Sequence, residues 1–244
     1  MSAKRRGGVD LADVQPLLDA LVAPQWKATL ILLSSTVLML TWSYFASPPF
    51  LAGRFAGGGD GRVAGAIGSF VGCFVLLGAV PALVITVLLR ERLADYGVCW
   101  GVPRRTWGTV AALVPVFLLV AYTARTDASL LTKFPINPRA GASAGMFAVH
   151  AATYLLFYVG WEFHFRGFLL FGLRPSIGAA NAVLVQTMAS ALLHIGSPAA
   201  ETFGAILAGV LWGVLALWTR SLVSGLVQHF LLGLALDAFI SFAR

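Results

Sequence analysis

"AATYLLFYVGWEFHFRGFLLFGL", residues 151–173, is long and apolar enough to cross a membrane, yet its middle carries Glu162, His164 and Arg166. A membrane-spanning helix needs about 20 mostly apolar residues. Ionisable groups at that depth are costly and as a rule face a bundle interior or a wet cavity. The stretch therefore reads as an inner helix of a membrane bundle with a polar site built into it.

The rest of the chain agrees. Of 244 residues, 59% are hydrophobic and 11% charged, and the mean hydropathy is +0.85. A soluble domain carries about 25% charged residues, so this composition indicates an integral membrane protein. Uncharged windows run over Ala28–Phe45, Val63–Leu89, Thr106–Ala124, Ala140–Trp161, Pro175–Ala200, Thr202–Thr219 and Ser221–Leu236. They predict an all-α, polytopic helical bundle with about seven transmembrane helices. Strict two-residue alternation, the mark of a transmembrane barrel, is absent. The first window is too long for a signal peptide's apolar region and is read as a retained helix.

Three parts follow. Residues 1–27 form a polar, amphipathic, cytoplasmic lead-in. Residues 28–139 hold N-terminal transmembrane helices with almost nothing ionisable inside them, and Pro81 and Pro115 are expected to bend two of these. Residues 140–244 hold the polar groups. "FAGGGDGR", 55–62, has no strand before it and reads as a turn, not a phosphate cradle. Lys4, Arg5, Arg6, Lys27, Arg90, Arg92, Arg104, Arg105, Arg174 and Arg220 fall on one side of the helices. Arg54, Arg62, Arg125, Lys133, Arg139 and Arg244 fall on the other. The bias sets the N-terminus inside, in a membrane expected to be the bacterial inner one. The net charge of +7 suits anionic lipid. The bilayer is thus an expected partner, and with no basic soluble module nucleic acid is not. Cys73 and Cys99 are not expected to pair and lack metal-ligand spacing.

The ionisable inventory of the last part is Glu162, Arg166, His194, Glu201, His229 and Asp237. Glu162 and Arg166 are four residues apart and share a helix face, where their attraction offsets desolvation. His164 points elsewhere and, like His150, is expected to be structural. Gly167 admits a close neighbour, and "GVLWG", 209–213, reads as a small-x-x-x-small packing pattern. Glu162 and His194 lie at nearly equal distances from a turn at "RPSIGAAN", 174–181, so an antiparallel pair sets them at similar height. A carboxylate and an imidazole facing each other there suit water activation. Glu201 begins a helix, where a carboxylate also favours the positive end of the dipole. Asp237 is expected near a membrane boundary, in reach of solvent.

"WEFHFRGFLL", "SALLHIGSPAAETFGAILAG" (190–209) and "TRSLVSGLVQHFLLG" (219–233) together resemble the CAAX-protease and bacteriocin-processing family, also called Abi. These are multi-spanning, glutamic-type intramembrane endopeptidases. Their first motif, Glu-Glu-x-x-x-Arg followed by Gly, is matched by Glu162, Arg166 and Gly167, with Trp161 in the place of the leading Glu. The second, Phe-x-x-x-His, is matched by His194, with Ser190 at the Phe. The third, His-x-x-x-Asn, is matched by His229, with Gly233 at the Asn. The resemblance implies that residues 140–244 are a catalytic core in which Glu162 and His194 activate water and His229 holds the oxyanion. Arg166, Trp161, Glu201 and Asp237 are supporting candidates, and Gln228 or Asp237 is a stand-in for the missing Asn.

The expected partner is a protein or peptide substrate in the membrane, cut near a C-terminal anchor, a sorting signal or a prenylated tail. Because Trp161 cannot accept a proton, an inactive scaffold or immunity protein is the alternative, and a transporter the second. Against the transporter, the first helices show no inverted repeat of the polar pattern. Two His and one Glu match zinc in number, but no His-Glu-x-x-His is present and Arg166 beside Glu162 repels a dication. A metal-free mechanism is expected, with zinc at Glu162, His194 and His229 as the lesser alternative.

Overall fold

A computed structural model describes residues 25–57 and 60–242, with Pro16 as an isolated position. The lead-in over 1–27 therefore lies almost wholly outside the described residues, as does the centre of the glycine turn. The elements are α1 (Trp26–Phe45), α2 (Pro48–Arg54), α3 (Gly61–Leu89), α4 (Pro103–Ala124), α5 (Ala144–Leu192), α6 (Ala199–Thr219) and α7 (Val223–Phe242). All but the short α2 are long and apolar enough to cross a membrane. Helix α5 breaks at Gly178, whose φ of 79° and ψ of 165° suit glycine and few other residues. The described residues thus hold six helices long enough to cross a membrane, and the second α5 arm, 179–192, is a shorter seventh segment beside the seven apolar windows. The break falls inside the turn expected at 174–181. The chain is an integral, multi-pass helical membrane protein.

The first arm of α5 is the central element. Every residue from Phe163 to Leu170 is buried, with α1, α3, α6, α7 and the 90s loop packed around it. Gly160 makes the approach of α3 close enough: a Cβ there would stand 2.7 Å from the Cys73 carbonyl oxygen and 2.8 Å from Phe74 Cα. Helix α3 changes to π-type hydrogen bonding over Phe74–Ala79 and Val84–Leu89, on either side of Pro81, where a proline removes a donor and neighbouring turns readjust. Helix α5 does the same over Phe163–Phe171, directly after Glu162. Such widened turns recur at functional sites. Gly209 and Gly213 of α6 lie against Thr187 and Gln186 of the second α5 arm, which is the packing role read for "GVLWG".

Charged groups sort to two ends as the sequence suggested. At one end Lys27 Nζ donates to both Glu91 carboxylate oxygens at 2.8 and 2.7 Å, and the Tyr96 hydroxyl donates to Glu91 as well. The Ser221 hydroxyl donates to the Cys99 carbonyl, tying the 90s loop to the α6–α7 turn. At the other end Arg139 meets Asp60 at 2.9 Å and Lys133 meets Glu201 at 2.6 Å. Burial pushes the Glu91 carboxyl up, but the Lys27 and Tyr96 hydrogen bonds outweigh it and hold the group below its usual value of 4.5. A depressed carboxylate contributes stability above its unfolded value and loses it as pH falls through the folded one. Hydrogen exchange in residues 91–97 should therefore accelerate as pH drops below about 4.5, and Glu91→Gln should show the fast exchange already at neutral pH. Both cysteines are free, Cys73 buried and Cys99 exposed.

Candidate active site

Glu162 ends the regular part of the first α5 arm and is 1% exposed. His229, from α7, donates through Nδ1 to Glu162 Oε1 at 2.8 Å. Arg166 Nη1 stands 3.4 Å from the same oxygen, so the expected pair on one helix face is present. Glu162 Oε2 has no hydrogen-bond partner among the described residues and fills the space left by Gly225 of α7, where a Cβ would come within 2.9 Å of it. A carboxylate can only accept, so His229 carries its proton on Nδ1 and leaves Nε2 for other chemistry. The imidazole is stacked on Trp212 (ring centroids 4.1 Å apart, 30°), and Trp212 is itself held by its indole N–H on Gln228 at 3.1 Å.

His194 lies just beyond the second α5 arm, and its Nδ1 donates to the Ser190 carbonyl at 2.8 Å. A carbonyl also only accepts, so the proton sits on Nδ1 and Nε2 is the free atom. That Nε2 stands 3.8 Å from Glu201 Oε1, too far for a direct hydrogen bond. Lys133 donates to Glu201 Oε1 at 2.6 Å and to the Ser197 hydroxyl at 2.9 Å. Trp161 is buried, stacked on Phe157 and edge-on to His194 at 5.5 Å.

His194, His229, Arg166, Trp161 and Glu201 line one cavity of about 400 Å³ between α5, α6 and α7, partly walled by Leu130 and Phe134 of the connecting segment. Glu162 does not border it. Its carboxylate is buried against His229 and Arg166, and the residue lines an apolar groove of about 460 Å³ instead. The structure thus pairs Glu162 with His229 rather than with His194. Chain distance from the turn sets height, but the direction a side chain takes around the helix depends on packing, and here it is toward α7.

Other expectations are settled by partners. Asp237 is not near solvent: it is fully buried and bonds His150 at 2.9 Å, because α7 continues as helix to Phe242 and carries it inside the bundle. Gln228 is committed to Trp212 and to Ser224 at 2.9 Å. His164 is structural, bonded to Ser35 of α1. Three residues of the site escaped sequence reasoning: Tyr158, Trp212 and Lys133. Tyr158 stands four residues before Glu162 and so shares its face, which was the available signal; its ring meets His229 edge-on at 4.6 Å. A Cβ at Gly233 would collide with the Tyr158 hydroxyl. That hydroxyl donates to Tyr154 at 3.0 Å. Gly233→Asn should therefore push Tyr158 aside and lower the yield of folded protein, whereas the paired Gly233→Asn/Tyr158→Phe should recover part of it, as read by size-exclusion recovery and thermal melting.

The zinc alternative fits these side chains poorly. Glu162 and His229 bond each other instead of opening toward a common point, and the Arg166 guanidinium flanks the carboxylate. Among the described residues no three His, Cys, Asp or Glu side chains are grouped to hold a metal ion.

Residues 143–235 match the family model described as Type II CAAX prenyl endopeptidase Rce1-like. The matched segment starts at Ser143, whose hydroxyl caps α5 by accepting from the Met146 amide. It holds Glu162, Arg166, His194, Glu201 and His229, while Asp237 and α1–α4 lie outside it. The resemblance read from the three motifs is borne out over this segment, and the match supports a protease of the membrane. No curated protein and no solved structure matches the chain.

Proposed function

We propose that the chain is an intramembrane endopeptidase that cuts a membrane-associated protein or peptide by attack of water. The observation that carries this reading is the pair of imidazoles on one cavity, His194 and His229, each with Nδ1 tied to an acceptor and Nε2 free. His194 Nε2 is suited to take a proton from water. His229, its Nδ1 held by the buried Glu162 carboxylate, gives a hydrogen bond from Nε2 to the oxyanion when it carries a proton on both nitrogens, a preorganised stabilisation of the kind that dominates acyl-transfer catalysis. Arg166 supplies a counter-charge 3.4 Å from Glu162 Oε1. No zinc step is involved.

The matched family's description points to a prenylated tail as the substrate class. The apolar groove lined by Phe74, Gly78, Val98, Phe163 and Leu226, with Glu162 beside it, offers volume for an isoprenoid or acyl chain. On charge grounds the end bearing Lys27 and Arg220 faces the cytoplasm.

One observation favours a second reading, an inactive membrane scaffold: Trp161 fills the leading position of the first motif and packs among Trp42, Phe157 and Phe165. A farnesylated fluorogenic peptide ending in Cys-aliphatic-aliphatic-X, offered to the full chain in nanodiscs, separates the two. Cleavage by the parent, and its absence with the same peptide lacking the farnesyl group, is expected. Cleavage gained only in Trp161→Glu would make the natural chain non-proteolytic.

A further inference from the structure

Two acceptors, His194 Nε2 and Glu201 Oε1, face each other in the cavity without a hydrogen bond between them, and Lys133 meets only the second. His194 Nε2 is an acceptor because its other nitrogen carries the proton for the Ser190 carbonyl. Glu201 is a carboxylate, and its Oε1 lies 3.8 Å from that Nε2. Glu201 Oε2 is buried with no hydrogen-bond partner among the described residues. Both side chains are about one-fifth exposed, to the cavity they share. A species with two O–H donors satisfies such a slot, and water is the smallest one.

Resting on the proteolytic reading above, we infer that Glu201 is a further catalytic residue: with His194 it grips the attacking water and accepts the water's proton. The step balances without any other reactant. The water oxygen forms a bond to the scissile carbonyl carbon while one of its protons passes to the Glu201–His194 pair, and the carbonyl π electrons move onto oxygen beside His229. Collapse of that oxyanion breaks the C–N bond, and the held proton leaves with the amine. Glu201 stands on the first turn of α6, beyond the Pro198 that starts the helix. This carboxylate therefore reaches the cavity from a different element than Trp161, the position at which the chain lacks one. Lys133 fixes its orientation and balances its charge before the proton arrives.

A latch role, with Glu201 only anchoring the 125–143 segment through Lys133, makes different predictions. The full chain in nanodiscs serves for both arms of the test. In the first, a structure at a resolution that shows solvent is expected to hold a water bonded to both His194 Nε2 and Glu201, absent in Glu201→Leu; a direct His194–Glu201 contact with no water overturns the inference. In the second, on the farnesylated peptide, Glu201→Gln is expected to lower kcat at least 100-fold with KM within threefold, Glu201→Asp to recover part of it, and Lys133→Met to lose less than Glu201→Gln. Equal losses in Lys133→Met and Glu201→Gln establish the latch and overturn the inference. If Glu201→Gln keeps kcat within threefold while His194→Gln abolishes it, Glu201 has no catalytic role and the proteolytic reading stands. A parent that does not cleave removes both.

Discussion

Glu162→Gln is expected to reduce turnover by two orders of magnitude or more, the scale seen when one preorganised oxyanion donor is lost. The amide keeps the shape of the side chain and can still accept the His229 Nδ1 proton through its oxygen. The substitution removes the negative charge that offsets the positive charge of a doubly protonated His229, 2.8 Å away. KM should change little, because the amide keeps the side chain's shape beside the apolar groove and Glu162 does not border the cavity of the two imidazoles. Folding should weaken but survive, since Arg166 loses its counter-charge 3.4 Å away. Steady-state kinetics beside a thermal melt would check both halves. Parent-like kcat in Glu162→Gln would mean that His229 works without a carboxylate behind it, and the assigned role would fall.

The second large effect is on stability. Arg166 is 2% exposed, and Arg166→Ala leaves the Glu162 charge buried with only His229 to meet it. Removing one partner of a buried ion pair costs about 3–5 kcal/mol, enough to abolish accumulation of many folded proteins. The guanidinium also lies 5.5 Å from the Trp212 ring centroid, a contact that Lys reproduces poorly. Arg166→Lys should therefore fold better than Arg166→Ala but below the parent. Replacing both members, Glu162→Leu with Arg166→Met, should restore accumulation without activity, because an apolar pair of similar size carries no desolvation cost. Should Arg166→Ala accumulate and melt like the parent yet lose activity, the guanidinium acts on the reacting atoms instead.

Much of the fold was legible because a bilayer permits few solutions. Apolar windows marked the spans, and the turn near residue 177 followed from Pro175 and Gly178 together. The cation bias sorted the two ends as the Lys27–Glu91 and Lys133–Glu201 contacts do. The spacing of Glu162 and Arg166 placed both on one face, and the three motifs located both imidazoles that line the cavity. What was not legible is azimuth. Equal height for Glu162 and His194 followed from helix rise, but the π-type turns after Glu162 and the close approach of α7 at Gly225 send the carboxylate to His229. Asp237 misled because its window seemed to end at Leu236, where the helix in fact continues and an internal His150 receives it. Lys133 sits in a loop far away in sequence, and no local pattern announces that it will reach Glu201. Trp212 and Tyr158 gain their part from the fold, which sets the His229 ring against both of theirs.

Cleavage of the farnesylated peptide in water enriched in oxygen-18, followed by mass spectrometry, tests the central claim most directly. One heavy oxygen is expected in the new C-terminal carboxylate of the prenylated fragment, with release lost in His194→Gln and in His229→Gln proteins that still fold. Absence of cleavage by the parent, or heavy-oxygen product that persists in both variants, would contradict hydrolysis at this cavity.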